Sequence, residues 1–126
     1  MTMQRREFLK ASAAGLALAG LPMHARANRS KAKIVIVGAG FGGATAAKYI
    51  RKWDPTIEVT LIDRESKFVS CPLSNLVLAG LKTLDDISRT YDGLKSHGVN
   101  VVVDEVTAID TDKRIVKTVK GNFPYD

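Results

Sequence analysis

Four apolar residues in a row, Ile34-Val35-Ile36-Val37, are β-branched and show no alternation with polar positions. Such a run predicts a strand buried on both faces. Small residues and then a helical pattern follow, Ala44-Thr45-Ala46-Ala47-Lys48-Tyr49-Ile50, whose early positions are slim enough to lie close against a sheet. Asp54-Pro55 ends that helix, because proline disfavours the α conformation in the residue before it. A second apolar strand runs from Val59 to Ile62 and a third from Val99 to Val103. Between them, Ser74 and Asn75 are placed to cap a short apolar segment, Leu76 to Ala79, that Gly80 stops. Thr83 to Asp86 reads as a helix start, and Tyr91 to Gly98 as a short helix closed by its glycine. Val106 to Ile109 and Arg114 to Thr118, separated by Asp110-Thr111-Asp112-Lys113, predict a hairpin or meander. Strand, helix and strand in succession give an α/β fold: a mostly parallel sheet with helices and a β-meander.

The turn between the first strand and the first helix carries the chemistry. Gly38, Gly40 and Gly43 spell G-x-G-x-x-G, with Ala39 inside the motif and Gly42 as an extra glycine. Gly38 allows a tight turn, Gly40 lets backbone approach a pyrophosphate, and Gly43 lets helix and strand pack closely. Amides at the helix start, with the positive end of its dipole, meet phosphate charge. Asp63 ends the second strand, 20 residues after Gly43, where a carboxylate accepts hydrogen bonds from ribose hydroxyls. Three glycines alone are weak evidence, and a purely structural turn is the alternative. Strand before, helix after and acid at this distance together point to a Rossmann-like dinucleotide-binding domain.

The 126 residues leave room for one small domain. A formal net charge of +6 suggests an anionic partner, but Arg5, Arg6, Lys10 and Arg26 sit in the first 27 residues. Without that stretch 15 basic and 12 acidic side chains remain, a net of +3. They are scattered, with no basic-aromatic array, so nucleic-acid binding is not expected. Residues 4–10, Gln4-Arg5-Arg6-Glu7-Phe8-Leu9-Lys10, resemble a twin-arginine export signal. The apolar stretch Ala11 to Leu21 is too short and too weakly hydrophobic for a stable membrane span, which needs about 20 apolar residues. Ala25-Arg26-Ala27 fits a small-x-small cleavage site. Residues 1–27 are thus expected to be a signal peptide directing 28–126 to the periplasm; a surface amphipathic helix or an uncleaved anchor are the alternatives. Twin-arginine substrates cross folded, often loaded with cofactor, and a periplasm has no ready pool of NAD(P)H. A tightly held FAD is therefore expected over an exchanging NAD.

Cys71 is the one cysteine of the sequence, so no internal disulfide forms. Its thiol is buried, reactive or used between molecules, and a small buried hydrophobe is the plain reading. His97, just before Gly98, reads as a solvated residue favourable to a helix C-terminus rather than an acid-base group.

The stretches KIVIVGAGFGGATAAKYI, IEVTLIDR, SCPLSNLVLAG and YDGLKSHGVNVV resemble the flavoprotein subunit of flavocytochrome c sulfide dehydrogenase. The likeness runs from Lys33 to Asp126, within the FAD-dependent pyridine nucleotide-disulfide oxidoreductases. It implies a thioether between Cys71 and the 8α-methyl group of the flavin, with Pro72 standing where some members have a bulky aromatic. A thiolate is the competent nucleophile, and Arg64 and Lys67 are cations close to it in sequence. The resemblance also places the third strand near the adenine, with backbone groups of Val103 available to it. The expected cofactor-binding residues are Gly38, Ala39, Gly40, Gly42, Gly43, Asp63, Arg64, Cys71 and Val103. No metal site and no catalytic residue are expected in this stretch.

In the family a redox-active cysteine pair beside the flavin oxidises sulfide, and electrons pass to haem in a cytochrome c subunit. This chain has Cys71 alone, so the resemblance implies the amino-terminal part of a larger FAD-binding domain, incomplete at its C-terminus and inactive by itself. A sheet edge and half of the flavin cleft would then stand open, with marginal stability. A sulfide:quinone oxidoreductase relative, an NAD(P)H-dependent flavin disulfide reductase and a non-catalytic nucleotide-binding fragment are the other readings.

Overall fold

A computed structural model describes residues 32–126; the expected signal peptide and its cleavage site lie outside the described residues. Strand β1 (Lys33–Val37) leads through the glycine turn into helix α1 (Phe41–Trp53), and the chain returns as β2 (Glu58–Asp63). Two short strands, β3 (Lys67–Val69) and β4 (Ser88–Thr90), enclose a 3-10 turn (Cys71–Leu73), helix α2 (Ser74–Leu78) and a second 3-10 turn (Asp85–Ile87). Helix α3 (Asp92–Lys95) precedes β5 (Asn100–Val103), and β6 (Val106–Asp110), β7 (Ile115–Thr118) and β8 (Asn122–Pro124) complete the chain.

The first sheet is parallel, in the order β1-β2-β5. Its central strand β2 is buried from Val59 to Ile62, as an unalternating apolar strand covered on both faces should be. β1 has the same composition but lies at the edge and stays half-buried, with Val37 48% exposed. Strand pairing continues past the C-terminal end of each of β2's two partners: the Gly38 amide donates to the Ile62 carbonyl and the Asp104 amide to the Asp63 carbonyl, each at 2.8 Å. These two bonds bring the ends of all three strands level, and the site is built there.

Helix α1 lays Ala47, fully buried, on Val59 and Leu61 of β2, with Ala39, Tyr91 and Val99 completing the core. Phe41, Tyr49 and Trp53 remain exposed on its other side. Asp54 terminates it as expected before Pro55, accepting from the Thr56 amide and hydroxyl. β3 and β4 form a separate antiparallel pair, and β6, β7 and β8 an antiparallel meander with a bulge between Val106 and Ala108.

Two local expectations change. Ser74 does not cap α2; its hydroxyl donates to the Cys71 carbonyl at 2.7 Å, closing the preceding turn instead. Gly80 stops that helix as foreseen, at φ +71°, with the Gly80 and Leu81 amides bonded back to Val77 and Leu76. Thr83 to Asp86 starts no α-helix: Thr83 and Asp86 bond reciprocally around one 3-10 turn, after which Ser88–Thr90 is drawn out to pair with β3.

Arg51 fastens the far end of the core. Its guanidinium donates to the carbonyls of Pro55 (2.6 Å), Ile57 (2.5 Å) and His97 (3.3 Å), joining the α1–β2 loop to the end of α3. His97 is exposed and contributes only its carbonyl here. Gly98 adopts φ +79°, and a Cβ at that position would overlap the Arg51 guanidinium. Gly98→Ala should therefore cost about 1–2 kcal/mol from the left-handed backbone alone, and more once Arg51 is displaced. A urea titration of both proteins checks this; an unchanged midpoint would show that Arg51 and the backbone yield freely.

Candidate functional site

The turn after β1 is shaped by what glycine lacks. Gly38 sits at φ +92°, a conformation that disfavours side chains. A Cβ on Gly43 would overlap the Gly38 carbonyl oxygen and press on Ile36, so the first turn of α1 rests directly on backbone. Gly40 and Gly42 differ: a Cβ on either meets no protein atom within 4 Å. Space in front of these two residues belongs to the solvent side. The α1 N-cap, Gly40, supplies no side chain, and the first intrahelical bond runs from the Ala44 amide to the Gly40 carbonyl at 2.9 Å. The amides of the first turn consequently have no carbonyl within the helix to reach, and they carry the positive end of its dipole.

Asp63 closes the turn from the side. One carboxylate oxygen accepts the Ala39 amide at 2.6 Å and the other the Glu65 amide at 2.9 Å. Each oxygen keeps a second lone pair. Ala39 itself is buried, and its amide is taken up by this bond. Arg64 follows on the exposed rim.

A cleft of about 280 Å³ opens between these residues and the start of the meander. Val37, Gly38 and Ile62 floor it; Asp63 and Arg64 form one wall, and Asp104, Glu105 and Val106 the other. The second wall was not foreseen from sequence. A two-residue acidic junction, Asp104-Glu105, between two apolar strands was the available signal, since it falls level with Asp63 at the strand ends. Val103, foreseen in this role, is one residue off the cleft lining; its carbonyl accepts the Lys120 ammonium at 2.8 Å. Asp104 is buried, and its carboxyl is held below the usual carboxylate range by the Thr118 hydroxyl and the Glu105 and Lys120 amides, which outweigh burial. Tyr91, in the core beneath, is pushed up by burial and by the Asp63 and Glu65 charges, so its phenol stays protonated.

Cys71 lies outside this cleft lining, on the 3-10 turn that follows β3. It is exposed and free, not the buried hydrophobe of the plain reading, and its Sγ lies 4.0 Å from the Val69 carbonyl oxygen. Of the two cations near it in sequence, Lys67 faces Asp85 at 3.9 Å. An edge-to-face contact of Phe41 with Phe68, centroids 4.8 Å apart, ties the start of α1 to the strand that leads to this thiol. Among the described residues no His, Cys, Asp or Glu cluster could hold a metal ion, and no helix is long and apolar enough to cross a membrane.

Residues 32–126 match the family model described as pyridine nucleotide-disulphide oxidoreductase. Over 45 residues the chain is 58% identical to the sulfide dehydrogenase [flavocytochrome c] flavoprotein chain of Chlorobaculum thiosulfatiphilum, a match covering 36% of this chain and 94% of that sequence. It is 35% identical over 98 residues to an Escherichia coli nitric oxide reductase FlRd-NAD(+) reductase, covering 74% of this chain and 26% of the other. Among solved structures, the sulfide:quinone oxidoreductase of Aquifex aeolicus superposes with a TM-score of 0.70 at 27% identity, over 75% of this chain and 22% of that one. The water-forming NADH oxidase of Lactobacillus brevis gives 0.67 at 28%, over 76% and 24%. Apart from the sulfide dehydrogenase sequence, the chain spans about a quarter of each of these relatives.

Two measurements probe this geometry. Gly40→Ala should leave the melting temperature unchanged yet weaken ADP binding at least about tenfold, about 1.4 kcal/mol, whereas Gly43→Ala should lower both together. Calorimetry with a parallel thermal melt reads the two effects. For Asp104, a depressed folded-state pKa means stabilisation that is complete above about pH 4 and lost as pH falls through the folded value. The stability gap between the natural chain and Asp104→Asn should accordingly be flat at higher pH and close in acid, as read by melts across a pH series.

Proposed function

The chain belongs to the pyridine nucleotide-disulphide oxidoreductase family, and on that premise we propose that it is the FAD-binding portion of a periplasmic sulfide dehydrogenase flavoprotein. The open glycine turn would receive the pyrophosphate: bare backbone at Gly40 and Gly42 faces free space, and the first-turn amides of α1 are oriented to donate. Asp63 keeps a lone pair on each oxygen for ribose hydroxyls while its other two bonds hold Ala39 and Glu65 in place. The cleft between Asp63 and Val106 suits the nucleoside end. Bound there, a flavin would supply two-electron acceptance from sulfide and one-electron release to a cytochrome c subunit. Cys71 would supply the sulfur of a thioether to the ring.

The observation that carries this reading is the exposed, unbridged Cys71 in a chain 58% identical, over the matched stretch, to a sulfide dehydrogenase flavoprotein. An accessible thiol on the turn after β3 is what a covalent tether needs, and a tether would prevent cofactor loss outside the cytoplasm. Export through the twin-arginine leader, cleaved after Ala27, belongs to the same proposal. The oxidation of sulfide itself is assigned to the longer protein, because family chemistry uses a cysteine pair and these 126 residues contain Cys71 alone.

A second reading, a sulfide:quinone oxidoreductase relative, is favoured by the superposition on the Aquifex aeolicus enzyme. It needs neither the tether nor export. In the full-length protein, the yellow chromophore should stay with the polypeptide in hot acid and leave it in Cys71→Ser. Sulfide should reduce cytochrome c in preference to a quinone. Chromophore retained by Cys71→Ser would place the tether elsewhere, and quinone preference would favour the second reading. Residues 28–126 alone should show no turnover in either assay.

A further inference from the structure

The wall of the cleft opposite Asp63 is held from behind. β5 ends at Val103 and β6 begins at Val106, so Asp104 and Glu105 make the whole connection between parallel sheet and meander. The Asp104 amide is fixed to the Asp63 carbonyl at 2.8 Å. Its carboxylate turns the other way: one oxygen accepts the Glu105 amide at 2.8 Å, the other the Lys120 amide at 3.1 Å. Two further bonds join the same places, the Lys120 ammonium to the Val103 carbonyl at 2.8 Å and the Val119 amide to the Glu105 carbonyl at 3.0 Å. The turn between β7 and β8 is thereby stitched to the β5–β6 junction. With 6% of its surface exposed and both oxygens engaged by amides, Asp104 has little to offer a ligand directly. It acts on the cleft by fixing where Glu105 and Val106 stand.

We propose that Asp104 is a positioning residue for nucleotide binding, setting the spacing between the meander and the Asp63 wall and so the fit of the nucleoside end. This rests on the nucleotide reading above. Asparagine at 104 keeps the shape and can still accept the Glu105 amide, but it turns an N–H donor towards the Lys120 amide. Two donors then face each other, and the meander moves off its stop. The glycine turn, fixed independently by Gly43 and Asp63, keeps its geometry.

The test compares ADP with inorganic pyrophosphate, used as a competitor of ADP, on apoprotein of the full chain from riboflavin-starved cells. In Asp104→Asn, ADP affinity should fall about tenfold, with the inhibition constant of pyrophosphate unchanged. Lys120→Met, at an exposed position, should give a smaller loss for ADP with the same split, and it serves where Asp104→Asn fails to fold. Equal losses for ADP and pyrophosphate would mark Asp104 as a general support of the fold and overturn the proposal, as would unchanged ADP affinity. Pyrophosphate that does not compete in the natural protein would also overturn it, since turn and cleft would then not be one site. A natural protein that binds no ADP at all removes the nucleotide reading itself.

Discussion

The start of α1 lies directly on the turn that leaves β1, and the other distances at the site follow from that approach. Only a residue without a side chain can occupy position 43, because any Cβ there would overlap the Gly38 carbonyl oxygen. The contact sets the helix at a depth where Ala47 is fully buried over β2. It also presents the first-turn amides at the level of the strand ends, in front of two glycines whose own Cβ positions are empty. Tight packing on the inner side and open space on the outer side thus come from neighbouring glycines with opposite reasons for being glycine.

This half of the site was legible in the sequence because its determinants are local. An unalternating β-branched run, glycines at fixed offsets, small residues at the helix start and an acid at the next strand end need no knowledge of distant contacts. β2 matches its pattern fully. β1, with the same pattern, is only half-buried, since composition reports which neighbours a strand suits and not which it has. The stops at Gly80 and Gly98 were also readable, both at positive φ and both closing short helices.

What stayed hidden depends on residues far apart in the chain. The β3–β4 pair joins three-residue strands across α2 and two 3-10 turns, too short for periodicity to register. Asp104 finds its partner at Lys120, 16 residues on, so nothing in its immediate neighbourhood announces a buried carboxylate. Ser74 was misread because a serine ahead of an apolar segment usually caps it, whereas the turn at Cys71 had already claimed the hydroxyl. The end of the third strand at Val103 was readable from its apolar run, but the bond from the Lys120 ammonium to its carbonyl was not, since that partner lies 17 residues on.

The Asp63 carboxylate bonded to the Ala39 amide also limits how the pocket can be retuned. On the proposed reading, the same acid would also receive the ribose hydroxyls of the flavin nucleotide. Replacing it to alter that contact would release the Ala39 amide that braces the turn, so any change of ligand fit would arrive together with a loosened loop. Lineages or designers altering one property would have to rebuild the other.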